Sequence, residues 1–171
     1  MGQKTINIII VEDHPIFRMG MKEMIEHEPD MCVSGEAGDV AGAMQLIREN
    51  QPDLVVVDLS LRGSNGLDLV KEIAEHHKPT LSLVLSMHDE ALHAERCILA
   101  GAKGYIMKQE ASESVVLAIR RIMAGHIHVS PTIMSHILNS FQKKHEIFKM
   151  KQKIDDQDKR LAALENNKKD N

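Results

Sequence analysis

Five short runs rich in β-branched and other apolar residues, at 6–11, 31–36, 54–57, 81–85 and 104–107, alternate with five stretches of helical spacing. That strict alternation constrains the fold more than any other feature of the chain. The helical stretches carry apolar residues three or four apart: Phe17, Met21 and Met24; Val40, Met44 and Ile47; Leu67, Val70 and Ile73; Leu92 and Leu99; Val115, Ile119 and Ile122. Strand, helix, strand in sequence implies a parallel sheet with right-handed crossovers and helices on both faces. Strands covered on both faces should be apolar throughout, as Ile8-Ile9-Ile10-Val11 and Leu54-Val55-Val56-Val57 are. The expected class is therefore a doubly wound α/β fold. Punctuation agrees with it. Pro15 fits a first helical position, Asp39, Asp89 and Ser112 fit N-caps, and Gly101 and Gly125 fit C-terminal caps.

At 171 residues the chain holds one such domain and an appendage too short for a second, so we expect a domain over 1–125 and a linker and helix over 126–171. No apolar run approaches the roughly 20 residues needed to cross a bilayer, and the start has no apolar leader, which predicts a cytoplasmic protein. Cys32 and Cys97 sit among apolar residues without a CxxC spacing and are expected to be reduced core thiols. Residues 1–140 carry 12 basic against 19 acidic side chains, so the globular part is not a nucleic-acid-binding surface by charge.

In open parallel sheets ligands bind beyond the carboxyl ends of the strands. There the first strand ends in Glu12-Asp13, the third in Asp58, the fourth in Ser86 and the fifth in Lys108. Three carboxylates, a hydroxyl and an ammonium thus converge on one rim. Crowded carboxylates repel unless a hard cation shares them, and Mg²⁺ suits a few oxygen ligands together with substrate phosphate. An aspartate at the focus can then attack phosphorus, with the cation and Lys108 neutralising the charge that develops. The histidines His76, His77, His88 and His93 have no spacing of a recognised metal cage and read as exposed helix-end residues.

Glu12-Asp13 after the first strand, Asp58 after Leu-Val-Val-Val, Gly66 eight residues on, Ser86 closing the fourth strand, and Gly101-Ala-Lys-Gly-Tyr105 leading into Lys108 together resemble the receiver domain of bacterial two-component response regulators. The stretch from Ala118-Ile119-Arg120-Arg121 to Ala124-Gly125 and Val129-Ser130-Pro131 is similar to the LuxR-type subfamily. The resemblance implies a flavodoxin-like sheet of order 2-1-3-4-5. It also implies that Asp58 is the phosphoacceptor for a sensor histidine kinase. Mg²⁺ would be held by Asp13, Asp58 and the Ser60 backbone carbonyl, with Glu12 acting through water. Ser86 would bind the phosphoryl group, Lys108 would pair with it, and Tyr105 would be a switch residue turning inward. The chain would be a signalling protein, not an enzyme, with an output face at about 90–124. Two positions depart from the family pattern. Leu61-Arg62 stands where Met-Pro is usual, and Gln109 replaces a proline after Lys108, so no cis bond is expected there.

The LuxR-type resemblance implies a DNA-binding domain further along, yet no helix-turn-helix pattern follows Pro131 and direct DNA binding by this chain is not expected. Ser130-Pro131 instead opens a helix through Ile133, Ile137, Leu138 and Phe141. Ile147, Met150, Ile154, Leu161 and Leu164 then fit a and d positions of a heptad, with Gln157 at an intervening d. Two readings stand side by side, a short coiled coil that dimerises the protein or docks a partner and a solvated charged helix. A phosphorylation-independent scaffold and a truncated LuxR-type transcriptional regulator are the alternatives to the switch.

Overall fold

The computed structural model describes residues 5–87 and 91–169, with side chains given to residue 154 and at Lys159. Five strands, β1 (Ile6–Val11), β2 (Met31–Ala37), β3 (Leu54–Asp58), β4 (Leu81–Ser86) and β5 (Gly104–Met107), form one parallel sheet of order β2-β1-β3-β4-β5. Helices α1 (Pro15–Glu26), α2 (Val40–Asn50), α3 (Gly66–His76), α4 (Ala91–Leu99) and α5 (Ala111–Met123) connect and follow the strands. A last helix, α6, spans Pro131–Lys169. This is the doubly wound arrangement that the alternation predicts, in the flavodoxin-like strand order that the resemblance implies.

The central strand β3 is buried along its whole length, and β1 is buried from Ile8 onward, because helices cover both faces. On one face Ile8, Ile10, Leu54, Val56, Leu83, Leu85 and Ile106 pack with Met21 and Ile25 of α1 and Val115, Ile119 and Ile122 of α5. The edge strand β2 is half-exposed, and there the structure corrects one expectation: Cys97 is buried, but Cys32 points outward and is exposed. An edge strand with only one neighbour has room for an outward thiol that a central strand would bury. The protein environment of Cys97 raises its thiol to about 11, chiefly by burial, so it is inert toward nucleophilic chemistry.

Asp39 caps α2, its Oδ1 accepting from the Gly42 amide, and Pro15 opens α1. Gly101 and Gly125 end helices with φ of 111° and 88°. A Cβ on Gly101 would also lie 2.4 Å from Ala74 Cβ. Ser112 is not an N-cap, because a turn of 3-10 helix over Lys108–Glu110 runs directly into Ala111 and places Ser112 inside α5. Asp89 lies outside the described residues, as does His88. Among the described residues the cis peptide bond joins Lys78 and Pro79, and Lys108–Gln109 is trans.

The chain divides into two compact units, 1–133 and 134–171. The first extends beyond Gly125 because the segment after α5 doubles back along the free edge of β5. His128 N donates to the Lys103 carbonyl and Tyr105 N donates to the His128 carbonyl, each at 2.9 Å. An edge that would otherwise expose unpaired backbone groups is thereby covered. The second unit is helical, and the described side chains of 141–154 are all exposed.

Candidate functional site

Parallel strands end on one rim, so the residues that close β1, β3, β4 and β5 are neighbours although far apart in sequence. Glu12 and Asp58 are fully buried, the side chain of Asp13 nearly so, and Ser86 and Lys108 are buried beside them. The Lys108 ammonium lies 2.8 Å from Asp58 Oδ2 and 2.8 Å from Glu12 Oε2, and 5.0 Å from the centre of the Phe17 ring. Burial pushes the lysine down, but its bonds to Asp58 and then Glu12 outweigh this and hold it above its ordinary range. It is therefore a fixed positive charge, aimed at the carboxylate that the sequence marks as nucleophile.

The other Asp58 oxygen, Oδ1, accepts the Ser60 backbone N–H at 3.0 Å. The turn that makes this bond depends on Gly66, where a Cβ would sit 2.2 Å from the Asp58 carbonyl oxygen and 2.9 Å from Leu59 Cα. Glycine is required here by close approach of two backbones rather than by an unusual φ. Leu61 is buried and anchors the same loop, while Arg62 reaches back across the rim to Asp13, Nε to Oδ2 at 3.1 Å.

Two groups at the site are not assigned to it from the sequence, although Arg62 stands out there as a departure from the family pattern. His14 Nδ1 stands 2.9 Å from Asp13 Oδ1 and 3.1 Å from Glu12 Oε1, and Arg62 pairs with Asp13 as described. Position alone could have marked His14, which follows the acid pair directly. Nothing in the local pattern points Arg62 at Asp13. Burial pushes the Asp13 carboxyl up, yet His14 and then Arg62 outweigh it and hold it below the usual carboxylate range.

One oxygen or nitrogen from each of Glu12, Asp13, His14 and Asp58 lies within 4.8 Å of the others. Both Asp13 oxygens are buried and, although cations stand beside them, accept no hydrogen bond of good geometry. Buried carboxylate oxygens this close together are the donor set that a divalent oxygen-loving cation needs, so Glu12, Asp13 and Asp58 fit Mg²⁺.

Ser86 is opposite Met107 in the β4–β5 register and lines a cavity of about 330 Å³ with Ser60, Asn65, His93 and Arg96. Tyr105, the chain's single tyrosine, is already turned inward and fully buried. It borders a second cavity of about 430 Å³ that is also lined by Arg121, His128 and Ile133. Among the described residues no helix is long and apolar enough to cross a membrane.

Residues 8–120 match the family described as the response regulator receiver domain. The oxygen regulatory protein NreC of Staphylococcus epidermidis is 32% identical over 137 residues, covering 80% of this chain and 63% of NreC. The transcriptional regulatory protein DegU of Brevibacillus brevis is 24% identical over 143 residues, 84% of this chain and 61% of DegU. The chain thus spans a little under two thirds of the length of these curated relatives. A LuxR-family two-component response regulator from Aurantimonas sp. SI85-9A1 superimposes with a TM-score of 0.74 at 36% identity, over 80% of this chain and 98% of that one. The signal receiver domain of NarL from Mycobacterium tuberculosis gives 0.68 at 28% identity, over 72% and 99%. With its sheet order, its acid-and-lysine rim and these matches, the chain belongs to the response regulator receiver domain family, among relatives of the LuxR and NarL type.

Proposed function

We propose that the chain is a cytoplasmic two-component switch in which Asp58 accepts a phosphoryl group from the phosphohistidine of a sensor histidine kinase. An Asp58 oxygen attacks phosphorus, the P–N bond breaks, and the imidazole nitrogen leaves with the bonding pair and takes up a proton. The observation that carries this reading is the Lys108 ammonium held between Asp58 and Glu12, both buried, on the rim where the strands end. In that position it offsets negative charge gathering on the transferring oxygens. Glu12, Asp13, Asp58 and the Ser60 carbonyl would hold Mg²⁺, Glu12 through a water. When bound, the cation supplies further positive charge to the phosphoryl oxygens.

Ser86 donates its hydroxyl to the new acyl phosphate, and Lys108 pairs with it. Tyr105 already points inward, so its part is to hold that position once Ser86 is engaged. Phosphorylation thereby biases the surface of residues 90–124, and with it the tail, toward or away from a downstream protein. The protein acts as phosphoacceptor and not as an enzyme on other substrates.

The test is intact mass spectrometry after incubation with acetyl phosphate, with and without Mg²⁺. One Mg²⁺-dependent phosphoryl adduct is expected on the wild type and none on Asp58→Asn. A full adduct on Asp58→Asn would overturn the assignment.

A further inference from the structure

Helix α6 continues to Lys169, yet every described side chain from Phe141 to Ile154 is exposed, including Ile147, Met150 and Ile154 at 54, 64 and 54%. Ile133 and Ile137 near its start are buried, but from Phe141 to Ile154 the helix lacks the tertiary contacts that normally supply most helical stability. The charges beside this exposed stripe point to the kind of surface that fits it.

With Ile147 at an a position, the heptad register puts Ile147, Ile154 and Leu161 at a and Met150, Gln157 and Leu164 at d. The flanking g positions are then Glu146, Lys153 and Arg160, and the e positions Lys151, Asp158 and Glu165. In a parallel, in-register pair each g residue faces the e residue of the following heptad on the other chain. The three facing pairs are Glu146 with Lys151, Lys153 with Asp158, and Arg160 with Glu165, all of opposite charge. An antiparallel pair sets g against g and e against e instead; aligning the same apolar residues brings Lys151 opposite Asp158 but also Lys153 opposite Arg160, a repulsion that the parallel pair lacks. β-branched Ile147 and Ile154 at a, with Met150 and Leu164, unbranched at Cβ, at d, match the pattern of two-stranded coils, and Gln157 meeting its own copy at a core position penalises any slipped register.

We propose that residues 146–165 form a parallel, in-register two-stranded coiled coil with a second copy of this chain. The homodimer so formed does not depend on phosphorylation, and the inference stands whether or not Asp58 accepts phosphate. A downstream partner helix or an unpaired solvated helix would show itself in the same experiments as a chain that is monomeric alone.

Sedimentation of the full chain at micromolar concentration is expected to give a dimer, and a monomer or a trimer overturns the proposal. Ile154→Lys with Leu161→Lys should give a monomer whose receiver keeps its cooperative unfolding; a dimer that survives both changes lies elsewhere and also overturns it. The orientation is tested by charge. Lys153→Glu should weaken the dimer about tenfold, since two symmetry-related pairs turn repulsive. Adding Asp158→Lys should restore it, and failure to recover rules out the parallel register. Met150→Cys in a Cys32→Ser background provides a second readout, because a d residue meets its own copy only when the helices run parallel. Mild oxidation should link the chains nearly completely, and a dimer that does not cross-link overturns the arrangement.

Discussion

Lys108 Nζ donates to Asp58 Oδ2 at 2.8 Å across 50 residues of sequence, and both side chains are buried. An ammonium and a carboxylate taken out of water together interact more strongly than an exposed pair, and removing one leaves the other uncompensated. Glu12 shares the same ammonium, so the lysine balances two buried acids at once. Its removal has a chemical and a structural consequence. We predict that Lys108→Met slows adduct formation from acetyl phosphate by about 100-fold, the order found when one preorganised positive partner of a developing anion is deleted. Lys108→Arg should not restore the rate, because a planar guanidinium cannot take the place of a compact ammonium between two carboxylates. Time-resolved intact mass spectrometry checks both. A wild-type rate in Lys108→Met would show that the ammonium is a structural counter-ion only, and one in Lys108→Arg that any cation at this place suffices.

Arg62 and His14 both stand against Asp13, and both are largely exposed, Arg62 at 82% and His14 at 60% of the side chain. The Arg62 guanidinium is a cation placed where a divalent ion would also place charge. Being tethered loosely, it would compete with Mg²⁺ without blocking it. Arg62→Ala is therefore predicted to tighten Mg²⁺ binding by roughly two- to fivefold, in keeping with the small worth of exposed ion pairs. Calorimetric titration of the unphosphorylated protein measures it. Unchanged or weaker affinity would mean that Arg62 leaves Asp13 free of its charge in solution.

The fold was legible because two signals agreed. The apolar runs of β1 and β3 are long enough for strands and too short for helices, and Asp39 and Pro15 stand at the helix starts where capping chemistry wants them. Strand ends then located Glu12, Asp13, Asp58, Ser86 and Lys108 on one rim, since in a parallel sheet that follows from topology alone. What could not be read were features set by tertiary approach. Ser112 has good capping chemistry, but the 3-10 turn from Lys108 moves the start of α5 ahead of it. Arg62 meets Asp13 only because the loop after β3 folds over the end of β1. Cys32 has apolar sequence neighbours, yet β2 is an edge strand, which the local pattern does not state.

Gly66 shows how closely the loop after Asp58 is built. A Cβ there would lie 2.2 Å from the Asp58 carbonyl oxygen, and backbone atoms cannot yield as the end of a flexible side chain can. Gly66→Ala must shift either the start of α3 or the turn that presents Asp58. We predict a loss of about 1–3 kcal/mol in unfolding free energy, the usual range for overpacking, measured by urea titration. Phosphorylation should slow as well, because the Ser60 amide that holds Asp58 Oδ1 belongs to the same turn. If stability falls while the phosphorylation rate is unchanged, the turn relaxes without moving the carboxylate.

The backbone clip between His128 and β5 has a pH dependence of definite sign. His128 Nδ1 is buried without a hydrogen-bond partner, and burial, then the nearby Arg121, holds the imidazole below its ordinary value of 6.5. As the pH falls, the unfolded or unclipped chain takes a proton before the clipped one does. The contribution of His128 is thus fully present above 6.5 and is lost as the pH falls through the lower, folded-state value. The Tyr105 amide reports on this directly, since its hydrogen bond goes to the His128 carbonyl. After correction for intrinsic rates, hydrogen exchange at Tyr105 should lose protection as the pH falls below 6.5 in the wild type. In His128→Asn the same amide should lose much less, because the side chain no longer titrates while the backbone clip can still form. The other nine histidines are common to both proteins, so the difference between them isolates His128. Equal loss in the two would place the pH sensitivity elsewhere and leave the clip a purely backbone device.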